Sequence, residues 1–252
     1  MTRPRPARHL RHLAKLTWVE IKIFLREPMG LVGTVAIPVA LFVVLGRSLR
    51  DKAGDVPFVT QGLPVFAVIF IAIGGVLSLT TIIAIYREGG ILKRLKATPL
   101  SPLVILGGHV VVKLVLTAVT LGLLTLAGRR IYAGPPPPEP WSFLTGVLLV
   151  SLSLLSLGFV LASLVRTARF AQPIGSILLY ALLAISGLFF PIAKLPAVWQ
   201  AVALASPLTH GVELLRGLWT GAGWASHWIA TLALLANLTL CLLISKRVFR
   251  WE

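Results

Sequence analysis

Acid–base, thiol or metal chemistry in this chain would have to come from eight carboxylates, five histidines and one cysteine, and their spacing argues against each. The carboxylates (Glu20, Glu27, Asp51, Asp55, Glu88, Glu139, Glu213, Glu252) form no acid–base pair, and no nucleophile stands in a triad-like arrangement. His9 and His12 sit in a basic tail, while His109, His210 and His227 are isolated, so metal-ligand spacing is missing. Cys241 falls in an apolar run, where it has no internal disulfide partner and a thiol is inert. There is no G-x-x-x-x-G-K-[ST], and Gly89-Gly90 and Gly107-Gly108 lack the downstream lysine. The chain is therefore expected to hold no cofactor and no catalytic or metal site of its own.

The elements that surround these residues are apolar. Stretches at about 29–46, 59–85, 104–127, 141–165, 171–190 and 225–245 are each near the ~20 residues that cross a ~30 Å hydrocarbon layer, the first being the shortest. Backbone polar groups inside lipid must be satisfied within the segment, so these read as six helices. Composition agrees: 57% of residues are hydrophobic, mean hydropathy is +0.91 and 13% are charged, about half the charge of an ordinary soluble domain. The basic N-terminus before an apolar run resembles a signal peptide. The run lacks a small-residue cleavage site, so it is read as a retained helix.

A net charge of +16 raises nucleic acid as a partner, and its distribution excludes that. With the N-terminus in the cytoplasm, 16 of the 24 lysines and arginines lie on the cytoplasmic side and 7 on the other, with Lys113 near a helix start. This is the positive-inside bias of a multi-pass protein of the plasma (inner) membrane with both termini cytoplasmic. The same charges favour anionic membrane lipid. Lys113 is expected to snorkel to the inner surface.

Three segments outside the spans carry the remaining information. In residues 8–27, Arg11, Lys15, Lys22 and Arg26 share a helical face, and Leu13, Leu16, Ile23 and Phe24 share another. This predicts an amphipathic helix in the inner interface with Trp18 as a headgroup anchor. Glu20 and Glu27 project towards its apolar side, where they either contact protein or are solvated at a frayed edge. In the cytoplasmic loop, residues 87–97 can form a short helix ended by Thr98-Pro99, with Ile91, Leu92 and Leu95 on one side and Lys93, Arg94 and Lys96 elsewhere. Such a helix suits docking into a groove of a soluble partner. On the outer side, 191–223 is broken by Pro191, Pro196 and Ser206-Pro207. Two short helices dipping into the outer leaflet fit it better than a seventh span, with Glu213 and Arg216 paired at i, i+3. Pro135–Pro138 predicts a stiff outer turn.

No span core holds a carboxylate, so ion coupling lacks its usual groups and energy must come from elsewhere. The run Trp18-Val-Glu-Ile-Lys-Ile-Phe-Leu-Arg26-Glu27-Pro28, the pattern Arg87-Glu88-x-Gly90-x-Leu92-x-Arg94-Leu95 with Thr98-Pro99-Leu-Ser101, Phe190-Pro191 with Leu195-Pro196, and Ser206-Pro207-Leu-Thr-His210 with Arg216 all resemble the ABC-2 type permease family. The ending Val248-Phe249-Arg250-Trp251 resembles its daunorubicin- and multidrug-resistance branch.

The resemblance implies an all-α membrane protein of six transmembrane helices. An interfacial helix would occupy 1–28, with Trp18, Glu20, Arg26 and Glu27 as its marked residues, and a transmembrane domain 29–252. A cytoplasmic coupling helix would carry Arg87, Glu88, Gly90, Leu92, Arg94, Leu95, Thr98 and Pro99. An outer re-entrant helix pair would form a gate at Pro191, Pro196, Pro207, Glu213 and Arg216. It also implies a partner ABC ATPase that holds ATP and Mg, a second permease copy or paralogue, and outward transport. Hydroxyls at Ser78, Thr80, Thr81, Ser151, Ser153, Ser156, Ser176 and Ser186, with Phe66, Phe70, Phe189 and Phe190, would suit hydrophobic or amphipathic cargo such as a drug or lipid; they can equally bond their own helices. A polysaccharide-exporting relative and an ATP-independent secondary transporter are the alternatives.

Overall fold

The computed structural model describes residues 6–26, 28, 32–49, 58–91, 102–165, 167–188 and 191–248. Glu27, Leu92, Arg94, Leu95, Thr98, Pro99, Phe189 and Phe190 lie outside them. All regular elements among the described residues are helical.

Helix α1 (Pro6–Arg26) has no glycine, and its proline is at the first position, where no intrahelical N–H is needed. Trp18, Val19, Ile23 and Leu25 are exposed along it, with the Lys22 ammonium 5.2 Å from the Trp18 ring centroid. Thr17 and Glu20 turn the other way, against α5. Helix α2 (Ile37–Leu49) follows a π-helical turn at Val32–Ala36. Helices α3 (Phe58–Ala72) and α4 (Leu79–Glu88) run on through a π-helical segment, Ile73–Ser78, at the Gly74-Gly75 pair. Helices α5 (Pro102–Tyr132), α6 (Pro140–Leu164) and α7 (Ala168–Ile185) come next. A 3₁₀ turn at Ile192–Lys194 leads to α8 (Ala197–Ala205), α9 (Pro207–Thr220), α10 (Gly223–Ser226) and α11 (Trp228–Val248).

Five stretches among the described residues are long and apolar enough to cross a membrane: Gly62–Glu88, Gly107–Tyr132, Pro140–Leu164, Ala168–Ile185 and Trp228–Arg247. They coincide with five of the six expected spans. In the first, the apolar helix among the described residues is the shorter Ile37–Ser48, preceded by the π-helical turn. Large apolar side chains such as Ile177, Tyr180, Ile229 and Leu243 are exposed on these helices, which only a lipid or protein surround can cover.

Two seams hold the bundle together. The π-helical segment crosses α6 at glycines: a Cβ on Gly158 would collide with the Gly75 carbonyl oxygen, and one on Gly75 would press on the backbone of Leu154 and Leu155. Such close backbone approach is how helices gain dispersion contact where lipid supplies no hydrophobic drive. Thr80 closes this seam by donating to the carbonyls of Val76 (2.5 Å) and Gly158 (3.1 Å). In the second seam, Asn237 of α11 donates to both the carbonyl and the hydroxyl of buried Ser153 on α6, at 3.1 and 2.9 Å. Four of the eight hydroxyls considered as path-lining groups bond backbone nearby: Thr80 to Val76 O, Thr81 to Leu77 O, Ser156 to Ser153 O and Ser186 to Leu183 O. Phe66 packs edge-on against buried Phe42.

The segment 191–223 forms two helices. Ser206 caps α9, accepting the Leu208 N–H at 3.3 Å, with Pro207 at the first helical position. Gly221 ends it at φ +84, where an L side chain would be strained. Between these limits α9 is sequestered among α3, α6 and α11, with Leu208, Leu214, Leu215 and Leu218 at 2% exposure or less.

Candidate functional site

Polar side chains gather at the two ends of the bundle. At one end, α4 stops where Gly89 donates to Ile85 O (2.9 Å) and Gly90 to Arg87 O (3.1 Å), Gly90 standing at φ +66. The last two residues of that helix reach across to the α6–α7 turn. Arg87 Nη1 donates to the carbonyl oxygen of Val165 at 2.8 Å, just past the C-terminus of α6. Glu88 Oε2 accepts the Ala168 N–H at 2.7 Å, at the first residue of α7. Each charge thus meets the helix end whose dipole it complements. The pair grips both sides of the short turn.

The neighbouring Tyr86 binds in the opposite direction. Its hydroxyl donates to Glu20 Oε1 of α1 at 3.2 Å. The same oxygen is 3.9 Å from His109 Nε2 of α5, and the Tyr86 ring packs edge-on to that imidazole at 5.1 Å. Glu20 therefore contacts protein, which resolves the two readings left open for it. Three consecutive residues, Tyr86, Arg87 and Glu88, connect α1, α5, α6 and α7 immediately before the loop that begins at Gly89.

Lys113, one turn deeper on α5, does not snorkel. Its ammonium donates to Ser78 Oγ at 2.5 Å and lines a narrow groove with Phe70, Gly74, Thr117 and Thr120. Ser78 ends the π-helical segment within reach of α5, so a bond inside the bundle is available to the ammonium.

At the other end, an open cavity of about 660 Å³ lies beside α9, lined by Thr209, Val212, Glu213, Arg216, Thr220 and His227 among others. The expected Glu213–Arg216 pair does not form. Glu213 is instead flanked by two imidazoles, His210 Nδ1 and His227 Nδ1, each at 3.7 Å. His210 is anchored by a 2.8 Å bond between Nε2 and the Leu204 carbonyl, and His227 lies over Gly217, where a Cβ would strike its ring. Burial lowers the Arg216 guanidinium from its ordinary value, though an arginine remains charged. Its Nε is buried without a hydrogen-bond partner, as is Thr209 Oγ1.

Of the residues singled out in the sequence, Arg87, Glu88 and Gly90 stand together at the end of α4, and Glu20 meets the preceding residue, Tyr86. Trp18 and Arg26 stay exposed on α1. Glu213 and Arg216 share the cavity, while Pro196 and Pro207 start α8 and α9 and Pro191 precedes the 3₁₀ turn. Sequence reasoning missed Tyr86, His109, Ser78, His210, Thr209 and His227. The i, i+3 spacing of His210 and Glu213 could have revealed one contact. His227, beyond the Gly221 turn, carried no such signal. Among the described residues no group of three or more His, Cys, Asp or Glu side chains could hold a metal ion.

A family model described as ABC-2 type transporter matches residues 11–219. The chain is also 29% identical over 118 residues to Nodulation protein J of Rhizobium leguminosarum bv. trifolii, the match covering 45% of each chain. It thus spans under half the length of that curated relative. The family match runs from α1 through α9, and the chain belongs to the ABC-2 type transporter family and is a multi-pass membrane protein.

Proposed function

We propose that this ABC-2 family member is the permease of an ATP-driven exporter that moves hydrophobic or amphipathic cargo, a drug or a lipid, out across the plasma (inner) membrane. A separate ABC ATPase subunit holds ATP and Mg. A second permease, identical or paralogous, completes the pathway, and both termini face the cytoplasm. Residues 1–28 serve as the interfacial unit and 29–252 as the transmembrane unit. The observation that carries this reading is the joint at Tyr86–Glu88. A force applied to the following loop, through Leu92, Arg94, Leu95, Thr98 and Pro99, would pull on the α6–α7 turn through Arg87 and Glu88 and on α1 through Tyr86. That is the mechanical requirement for a subunit with no P-loop of its own. Glu27 and Arg26 would extend the contact of α1 towards the ATPase. At the opposite end, α8 and α9 with Pro191, Pro196 and Pro207 would close the exit.

The test is co-purification with the candidate ATPase, followed by hydrolysis in lipid with a panel of drugs and lipids. A stable complex with cargo-stimulated hydrolysis is expected, and Leu95→Asp should abolish that stimulation while the chain still inserts. Normal transport by the variant would overturn the coupling assignment, and failure to bind any ATPase would favour an ATP-independent transporter.

A further inference from the structure

We propose that the cavity beside α9 binds the phosphate headgroup of an amphiphile, with Arg216 and Thr209 as its principal donors. The argument rests on unmatched donors around a space large enough to hold a ligand. Thr209 is 5% exposed and its hydroxyl has no hydrogen-bond partner, and the buried Nε of Arg216 has none either. Both residues line the cavity. Buried polar atoms are satisfied in the great majority of cases, and leaving one unmade costs more than making it gains. Two residues on the wall of one cavity each carry such an atom, so a small turn of either side chain would present an unmatched donor to an acceptor in the cavity.

The charges select the acceptor. Glu213 is the cavity's one carboxylate among the described residues, and imidazole nitrogens from α9 and from the residue preceding α11 flank it. Among the described residues Arg216 has no carboxylate within 4 Å, so it is the cation of the cavity wall left to face a ligand. A guanidinium with a hydroxyl on the same wall, here Thr209, matches the several oxygens of a phosphate. A volume of about 660 Å³ is in the range that holds a small organic ligand and exceeds what a bare phosphate fills. The apolar remainder has a place to lie: Ile192 is on the cavity wall, and Val198, Trp199 and Val202 of α8 are exposed.

The site does not depend on the coupling reading, and binding is measured on the permease alone, so failure of one leaves the other standing. The purified chain in detergent is titrated with phosphatidic acid, with diacylglycerol as the same tails lacking phosphate, and with inorganic phosphate. At least tenfold tighter binding of phosphatidic acid than of diacylglycerol is expected, with Arg216→Gln erasing the difference and Thr209→Val weakening it about threefold. Arg216-dependent binding of inorganic phosphate, competing with the lipid, would support the same donors with a free anion as a second source. Equal phosphatidic acid binding by wild type, Arg216→Gln and Thr209→Val overturns the site. Should Arg216→Gln fail to fold, Arg216→Lys keeps the charge and loses the planar fork, and an undiminished phosphate preference in both Arg216→Lys and Thr209→Val would equally overturn it.

Discussion

Arg87 and Arg216 are both half-buried arginines at the end of a helical bundle, and their surroundings differ. Arg87 reaches the carbonyl of Val165 and stands next to Glu88, which holds the N–H of Ala168. Arg216 makes no such bond to another helix among the described residues and stands on the wall of an open cavity. A charged group bonded to backbone of another helix transmits position, because moving either helix breaks the bond. A charged group facing a cavity without a protein acceptor transmits nothing until a ligand arrives. Burial and charge alike leave the two arginines indistinguishable; the address of the acceptor separates joint from receptor.

This contrast holds only if the middle of the bundle is stiff enough to keep its ends distinct, and the glycine seam is the place to attack it. Gly158→Ala forces a Cβ onto the Gly75 carbonyl. A loss of about 3 kcal/mol or more is expected, read as a fall in the unfolding midpoint in detergent at both ends at once. The next largest effect belongs to the joint. Arg87→Ala removes a charge-assisted bond to backbone, with an expected cost of about 1–3 kcal/mol, a detached α6–α7 turn by amide hydrogen exchange, and reduced cargo-stimulated hydrolysis. Tyr86→Phe removes one hydroxyl bond to Glu20. About 1 kcal/mol is expected, with increased exchange confined to α1. The smallest effect on stability should come from the receptor: without ligand, Arg216→Gln should shift stability by roughly 0.5 kcal/mol or less, since no protein bond is lost. A loss as large as that of Arg87→Ala would place both arginines in the same structural role and end the comparison.

Much of this was legible in the residues. Five long apolar stretches appear as helices within a few residues of the expected bounds, because the length and hydropathy of a lipid-crossing segment are local properties. The breaks at Pro196 and Ser206-Pro207 were readable for the same reason. The place of Glu20 on the α1 wheel left it either facing protein or solvated at a frayed edge, and its bond to Tyr86 decides for protein. The misreadings concern direction. Lys113 turns to Ser78 rather than to the surface, and Glu213 turns to two imidazoles rather than to Arg216. In both cases a partner distant in sequence offers a shorter route than the local rule assumed. Helical spacing names possible neighbours on one helix and is silent about what another helix brings alongside.

By itself the sequence determined the class of molecule: the number of residues needed to cross lipid, the sign bias of the loops, and the absence of a P-loop follow from composition and local order. Only the tertiary structure decided which polar groups would meet. Glu20 with Tyr86, Arg87 with Val165, and Glu213 with His227 are separated by 66, 78 and 14 residues. Such meetings depend on how the helices pack, and that packing includes the close backbone crossing at Gly75 and Gly158. Hydropathy depends on what a residue is, and is written along the chain. A hydrogen bond depends on where two residues are, and exists only once the helices have closed on one another.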